Sequence, residues 1–178
     1  MSNAFRDAFA TWLGWLVPEN SPLLFVLGDE PLERMIEECL LVGYERLVGV
    51  LAGDMPAWSE AGLECARAEV VGAEGARQLL GDGAVAVDVR EASEFQEGHI
   101  PGALHIPLGD LESGAAAIPR DRPVLTYCGH GERSATALSL LERLGFSDLV
   151  NFDGGFDAWR EAGFGLEQMN GELNGGEK

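Results

Sequence analysis

From about residue 70 onward, short apolar runs alternate with stretches whose apolar residues recur at helical spacing. Val71 to Leu80 reads as a short strand followed by a helix, and Gly81 and Gly83 suit a left-handed helix end. Ala84-Val-Ala-Val-Asp88 is an apolar run of the kind shown by a strand buried on both faces. A helical turn over Ala92 to Glu97 leads to a further strand at Leu104-His-Ile106. Val124 to Tyr127 is another strand, and the helix after it places Ala137, Leu138, Leu141 and Leu144 on one face. Strands and helices alternating at these lengths predict an α/β fold, an open parallel sheet with helices on both faces.

Part of this pattern occurs twice. Pro22-Leu-Leu-Phe-Val-Leu27-Gly-Asp, Leu41-Val-Gly-Tyr44 and Ala52-Gly-Asp-Met-Pro-Ala-Trp58-Ser-Glu-Ala-Gly62 return about 101 positions later. There they read Pro123-Val-Leu-Thr-Tyr-Cys128-Gly-His, Arg143-Leu-Gly-Phe146 and Gly154-Gly-Phe-Asp-Ala-Trp159-Arg-Glu-Ala-Gly163. Each copy predicts a strand, a loop, a helix, a short strand and a helix bearing a core tryptophan, Trp58 or Trp159. The first copy lacks the front half, which would have to precede Met1. The expected organisation is therefore a partial, inactive copy over 1–62, a linker over 63–68 and a complete unit over 69–167. A disordered tail rich in Gly, Asn and Glu would follow over 168–178.

Charge narrows the partners. Thirty acidic residues against 12 basic ones give a formal net charge of −18, which repels phosphate backbones and anionic headgroups. Nucleic acid and membrane surfaces are excluded as expected partners. No apolar run reaches the roughly 18 residues of a membrane-spanning helix, and no secretory signal opens the chain, so a cytoplasmic protein is expected. Cys39, Cys65 and Cys128 are odd in number and too far apart for a CxxC pair, which argues against a disulfide framework. Cys39 lies in an apolar helical stretch and reads as a small buried hydrophobe; Cys65, in the linker, has no visible role. No metal or cofactor is expected.

Cys128 stands between the carboxyl end of a strand and the amino end of a helix, the edge of an α/β sheet where ligands bind. Unpaired amides of the first helical turn favour a thiolate or a bound anion there. Gly129 and Gly131 let successive amides point inward, and Arg133 adds a permanent positive charge. His130, inside the same loop, is placed to tune the thiolate or to touch substrate. In the first copy the loop reads Leu27-Gly-Asp-Glu-Pro31, with no thiol and two carboxylates.

Asp88-Val-Arg90, Glu94-Phe95, Gly98-His-Ile-Pro-Gly-Ala103, Tyr127-Cys128-Gly-His-Gly-Glu-Arg133-Ser134 and Gly154-Gly-Phe-Asp-Ala-Trp159 resemble the rhodanese family in order and spacing over 69–165. The resemblance implies a rhodanese fold and a cysteine persulfide enzyme. Cys128 would take a sulfane sulfur from thiosulfate or a low-molecular-weight persulfide and pass it to a thiol or cyanide. The loop Gly129, His130, Gly131, Glu132, Arg133 and Ser134 would hold that sulfur, while Asp88, Arg90 and His99 brace the sheet end. The tandem also resembles the rhodanese part of proteins fused to a metallo-β-lactamase-fold persulfide dioxygenase or hydrolase, which implies such a partner.

Alternative readings are a non-catalytic docking module and a cysteine-dependent phosphatase or arsenate reductase. Four residues separate Cys128 from Arg133, one fewer than in the phosphatase-like relatives, so the cradle suits one sulfur atom better than a tetrahedral oxyanion. Glu132 in the loop, and Glu94 where two-domain relatives carry a second arginine, predict weak use of the thiosulfate dianion. An unpaired strand edge in 1–62 predicts packing against 69–165 or a homodimer through the partial unit.

Overall fold

The computed structural model describes residues 4–65 and 68–168, and the chain forms two compact units, residues 1–67 and 68–178. Residues 66–67 of the expected linker and 169–178 of the expected tail lie outside the described residues.

The second unit is a five-stranded, all-parallel sheet. Its strands are β3 (Glu69–Val71), β4 (Val85–Asp88), β5 (Leu104–His105), β6 (Val124–Tyr127) and β7 (Leu149–Phe152), in the order β3-β7-β6-β4-β5. The central strands are buried along almost their whole length because helices cover both faces. On one face lie α4 (Ala73–Gly81) and α8 (Gly155–Glu161), whose Ala76, Phe156 and Trp159 close over Leu125, Tyr127, Val150 and Phe152. On the other lies α7 (Glu132–Arg143), which packs on β6 and β7. Burying Leu138 and Leu141 of α7, at roughly 1.5–3 kcal/mol per side chain, is what fixes that helix to the sheet. Two short helices complete the frame, α5 (Ala92–Glu97) after β4 and α6 (Leu111–Gly114) before β6.

Local details shift some expectations. Gly81 is the last residue of α4, and Gly83, at φ 100°, takes the left-handed conformation alone. Leu140 joins the buried face of α7, whereas Leu144 caps the helix and is only half-buried. Gln168, expected to open the tail, donates from Nε2 to the Glu97 carbonyl at 3.0 Å.

The first unit contains α1 (Ala4–Leu16), β1 (Leu23–Phe25), α2 (Leu32–Leu41), β2 (Leu47–Val50) and α3 (Asp54–Glu60), with β1 and β2 paired in parallel. Leu13, Phe25, Met35, Cys39 and Tyr44 form its core. Cys39 is completely buried, and that burial, with the Glu38 charge second, pushes its thiol up. From β1 onward the order of elements matches that from β6 to α8. Gly53 and Asp54 have φ of 77° and 51°, as do Gly154 and Gly155. Trp58 Nε1 donates to the Glu64 carbonyl at 3.0 Å and Trp159 Nε1 to that of Gly165 at 2.9 Å.

Trp58 nevertheless departs from the expected core position: it is half-buried, and α3 buries no residue. The sheet positions that explain this are Leu24, Val26 and Val48, all exposed. Their counterparts Leu125, Tyr127 and Val150 sit in the core with Trp159, beneath Ala76 of α4 and beside Ala86 of β4, elements the first unit does not possess.

Candidate active site

The thiol of Cys128 lies at the carboxyl end of β6 and is 2% exposed. The Gly131 amide donates to Sγ at 3.1 Å, and the Ser134 hydroxyl lies 3.8 Å from Sγ while donating to the Gly131 carbonyl at 2.9 Å. Gly131 supports this turn with φ 113°, a conformation a residue with Cβ adopts only under strain. Thr126 Oγ1 lies 3.3 Å from the Ser134 carbonyl, tying the first turn of α7 to the strand.

What turns the loop inward is α8. Its leading amides take up the loop carbonyls: Phe156 N donates to Cys128 O at 2.7 Å, Asp157 N to Gly129 O at 3.2 Å and Gly154 N to His130 O at 3.1 Å. With those carbonyls held on the far side, the Gly131 amide is left facing the sulfur. The approach requires glycine at 155, φ 51°, because a Cβ there would stand 2.3 Å from Cys128 O and 2.8 Å from Gly129 O. In the sequence Gly154-Gly-Phe-Asp stands out only as a family motif; the long-range amide donation has no local sequence signal.

Arg133 and Glu94 form a two-pronged pair, Nη1 to Oε2 at 2.6 Å and Nη2 to Oε1 at 2.7 Å. The guanidinium rests against Gly129, whose Cβ, if present, would lie 3.6 Å from Nη2. Hydrogen bonding to Glu94 raises the basicity of Arg133; burial opposes this, and the Glu94 and Cys128 charges add to it. Burial would push the Glu94 carboxyl up, yet the Arg133 guanidinium outweighs it and holds Glu94 below the usual carboxylate range. Glu94 also accepts from the Glu91 amide at 3.1 Å, so one carboxylate caps α5 and grips the loop.

A cavity of about 310 Å³ opens beside this loop, lined by Gly129, His130, Arg133, Glu94, Glu97, Phe156, Asp157 and Leu166 together with Arg90 and Arg160. Glu132, expected beside the substrate, is the first residue of α7 and is not among the residues lining this cavity; the carboxylates on its lining are Glu94, Glu97 and Asp157. The His130 side chain is largely exposed, its Nε2 2.9 Å from Asp157 Oδ2.

Asp88, Arg90 and His99 are buried at the end of β4 and the segment after it, and Arg90 also lines the cavity. Arg90 is 3% exposed; its Nη2 reaches Asp88 Oδ2 at 2.6 Å and Gly98 O at 2.8 Å, and its Cζ lies 4.1 Å from the centre of the Phe156 ring. Burial works against its charge, but the hydrogen bonds and charge of Asp88 leave the guanidinium more basic than usual. His99 stacks on Phe95 at 3.7 Å and exchanges backbone hydrogen bonds with Glu167, 2.9 Å in both directions. This bridge lays the segment containing Leu166 along the cavity wall, another contact across sequence that local reading missed.

The rhodanese-like domain model matches residues 72–162. Thiosulfate sulfurtransferase GlpE of Pseudomonas savastanoi pv. phaseolicola is 41% identical over 87 residues, 49% of this chain and 82% of that protein. The probable adenylyltransferase/sulfurtransferase MoeZ of Mycobacterium tuberculosis is 37% identical over 145 residues, 79% of this chain but 35% of that protein. Among solved structures, the rhodanese-related protein of Thermoplasma volcanium superposes with a TM-score of 0.52 at 29% identity, covering 56% of this chain and 97% of that one. No helix among the described residues is long and apolar enough to cross a membrane. By sequence, fold and the match over its second unit, the chain belongs to the rhodanese-like family of sulfurtransferases.

Proposed function

We propose that the chain moves a sulfane sulfur from a donor to a thiophilic acceptor through a persulfide on Cys128. The Cys128 thiolate attacks the outer sulfur of the donor, the donor's own sulfur bond breaks, and the remainder departs as an anion. An acceptor then attacks the sulfur now carried by Cys128, which leaves as a thiolate. The observation that carries this reading is the Gly131 amide aimed at Sγ from 3.1 Å, in a loop whose carbonyls α8 holds away. A fixed donor costs no reorganisation when charge builds on the sulfur. Thiosulfate, named in the relatives from Pseudomonas, and small organic persulfides are the donors the loop would serve.

Intact-mass spectrometry after incubation with each donor is the test. A gain of one sulfur atom, mapped to Cys128 and absent from a folded Cys128→Ser variant, supports the reading. Sulfur retained by that variant would move the carrier to Cys65, the exposed thiol.

Residues 1–62 fit the same scheme as a partial, inactive copy. Leu27 occupies the place of Cys128 and packs against the core of its unit. Asp54 occupies that of Gly155, and its Oδ1 accepts from the Leu27 amide at 3.0 Å. The Glu30 amide, counterpart of Gly131, donates to the Leu27 carbonyl at 3.0 Å in an ordinary turn. The amide that meets the sulfur in the second unit is committed here to a backbone carbonyl.

A further inference from the structure

The cavity beside the Cys128 loop is larger and less cationic than a small inorganic anion requires. Its volume of about 310 Å³ falls at the lower end of sites that enclose organic ligands, and Phe156 with Leu166 gives it an apolar wall. Each guanidinium on its lining already has a carboxylate: Arg90 holds Asp88, Arg133 holds Glu94, and Arg160 holds Asp157 at 2.8 Å. Glu97 adds a further carboxylate, and His130 is drawn to Asp157. An anion entering here finds no guanidinium free of a competing carboxylate, whereas a cation finds the exposed Glu97 on the lining.

We infer that this cavity takes the organic part of a small thiol or its persulfide, and that it selects a positively charged one over an anionic one. The inference rests on the persulfide reading above. In the unloading step the acceptor, having given its proton to solvent, attacks the outer sulfur as a thiolate. The bond from that sulfur to Cys128 breaks, and Cys128 departs with the electron pair. The acceptor's charged group meanwhile lies against the lining carboxylates, where opposite charge lowers the cost of approach and like charge raises it.

The full chain, loaded with sulfur on Cys128, is mixed with cysteamine, β-mercaptoethanol or mercaptoacetate, and loss of the persulfide is followed by quenched mass spectrometry. Rate constants are expressed per thiolate and divided by those for a free small-molecule persulfide, which removes intrinsic reactivity. At low salt the corrected constant is expected to be about threefold to tenfold larger for cysteamine than for mercaptoacetate, with β-mercaptoethanol between. High salt should narrow the spread, and Glu97→Lys should invert it. A flat or reversed order in the natural sequence, or an order that Glu97→Lys leaves unchanged, overturns the inference while leaving the persulfide reading intact. Failure of Cys128 to gain sulfur from any donor overturns both.

Discussion

Both carboxylate oxygens of Glu94 are engaged by the guanidinium of Arg133, across 39 positions of sequence. The cation best placed to attract an anionic donor is thereby already neutralised. In Glu94→Gln the fork keeps one weaker hydrogen bond and loses its counter-charge. We expect kcat/KM for thiosulfate to rise several-fold, more at low ionic strength than at high. Glu132→Gln, outside the cavity lining, should change it little; steady-state kinetics on the two variants side by side decides which carboxylate the donor meets.

The same pair sets a pH window. Arg133 holds the Glu94 carboxyl below the usual carboxylate range, so the pair is fully formed above that range, about pH 4.3, and is lost only as pH falls through the lower value in the folded protein. Carboxyl resonances followed by NMR should show Glu94 titrating below the usual carboxylate range. In Arg133→Ala that lowering should disappear.

Gly155→Ala places a methyl group 2.3 Å from Cys128 O, at a backbone φ of 51° that L residues adopt only with strain. Relief requires α8 to back away from the loop, and the three amides that hold its carbonyls go with it. We expect a loss of about 2–4 kcal/mol in urea unfolding and at least tenfold slower sulfur loading. Gly163→Ala separates strain from collision: its φ is 74° with nothing within 4 Å of the added methyl, so loading should survive.

Asp88→Asn strands Arg90 at the cavity lining with only part of its hydrogen bonding intact. Arg90 and Asp88 are 3% and 0% exposed, so water cannot replace the lost charge, and breaking such a buried pair costs on the order of 3–5 kcal/mol. Chemical denaturation should register this loss in the second unit. If unfolding is unchanged, the pair does not brace the sheet end.

The strands and the chemistry of the loop were legible because their signals are local. The apolar runs that became β4 and β6, the turn that became α5, and a cysteine between strand and helix all follow from neighbours in sequence. Contacts made across sequence left no such trace. Nothing around Gly155 announces that its backbone will meet Cys128, and Glu94 gives no sign that it will reach Arg133 rather than water. Glu132 is the acid nearest Cys128 in sequence, yet it opens α7 and the cavity is lined by Glu94, Glu97 and Asp157 instead. Trp58 was read from its twin Trp159, whose burial depends on elements the first unit does not contain.

The turn at Leu27 bears on how such a copy can change with time. Replacing Leu27 by cysteine would restore the thiol but not its surroundings, since the Glu30 amide is committed to the carbonyl of residue 27 and the Asp54 carboxylate to its N–H. Restoring glycine at 54 alone would free the helix start to approach the loop, with no sulfur for the loop to hold. Neither step rebuilds the site without the other, and the first loses a leucine packed against the core while the second loses a hydrogen bond. On the proposal that this unit is an inactive copy, loss of its chemistry therefore works as a ratchet, because a single substitution does not rebuild the sulfur site.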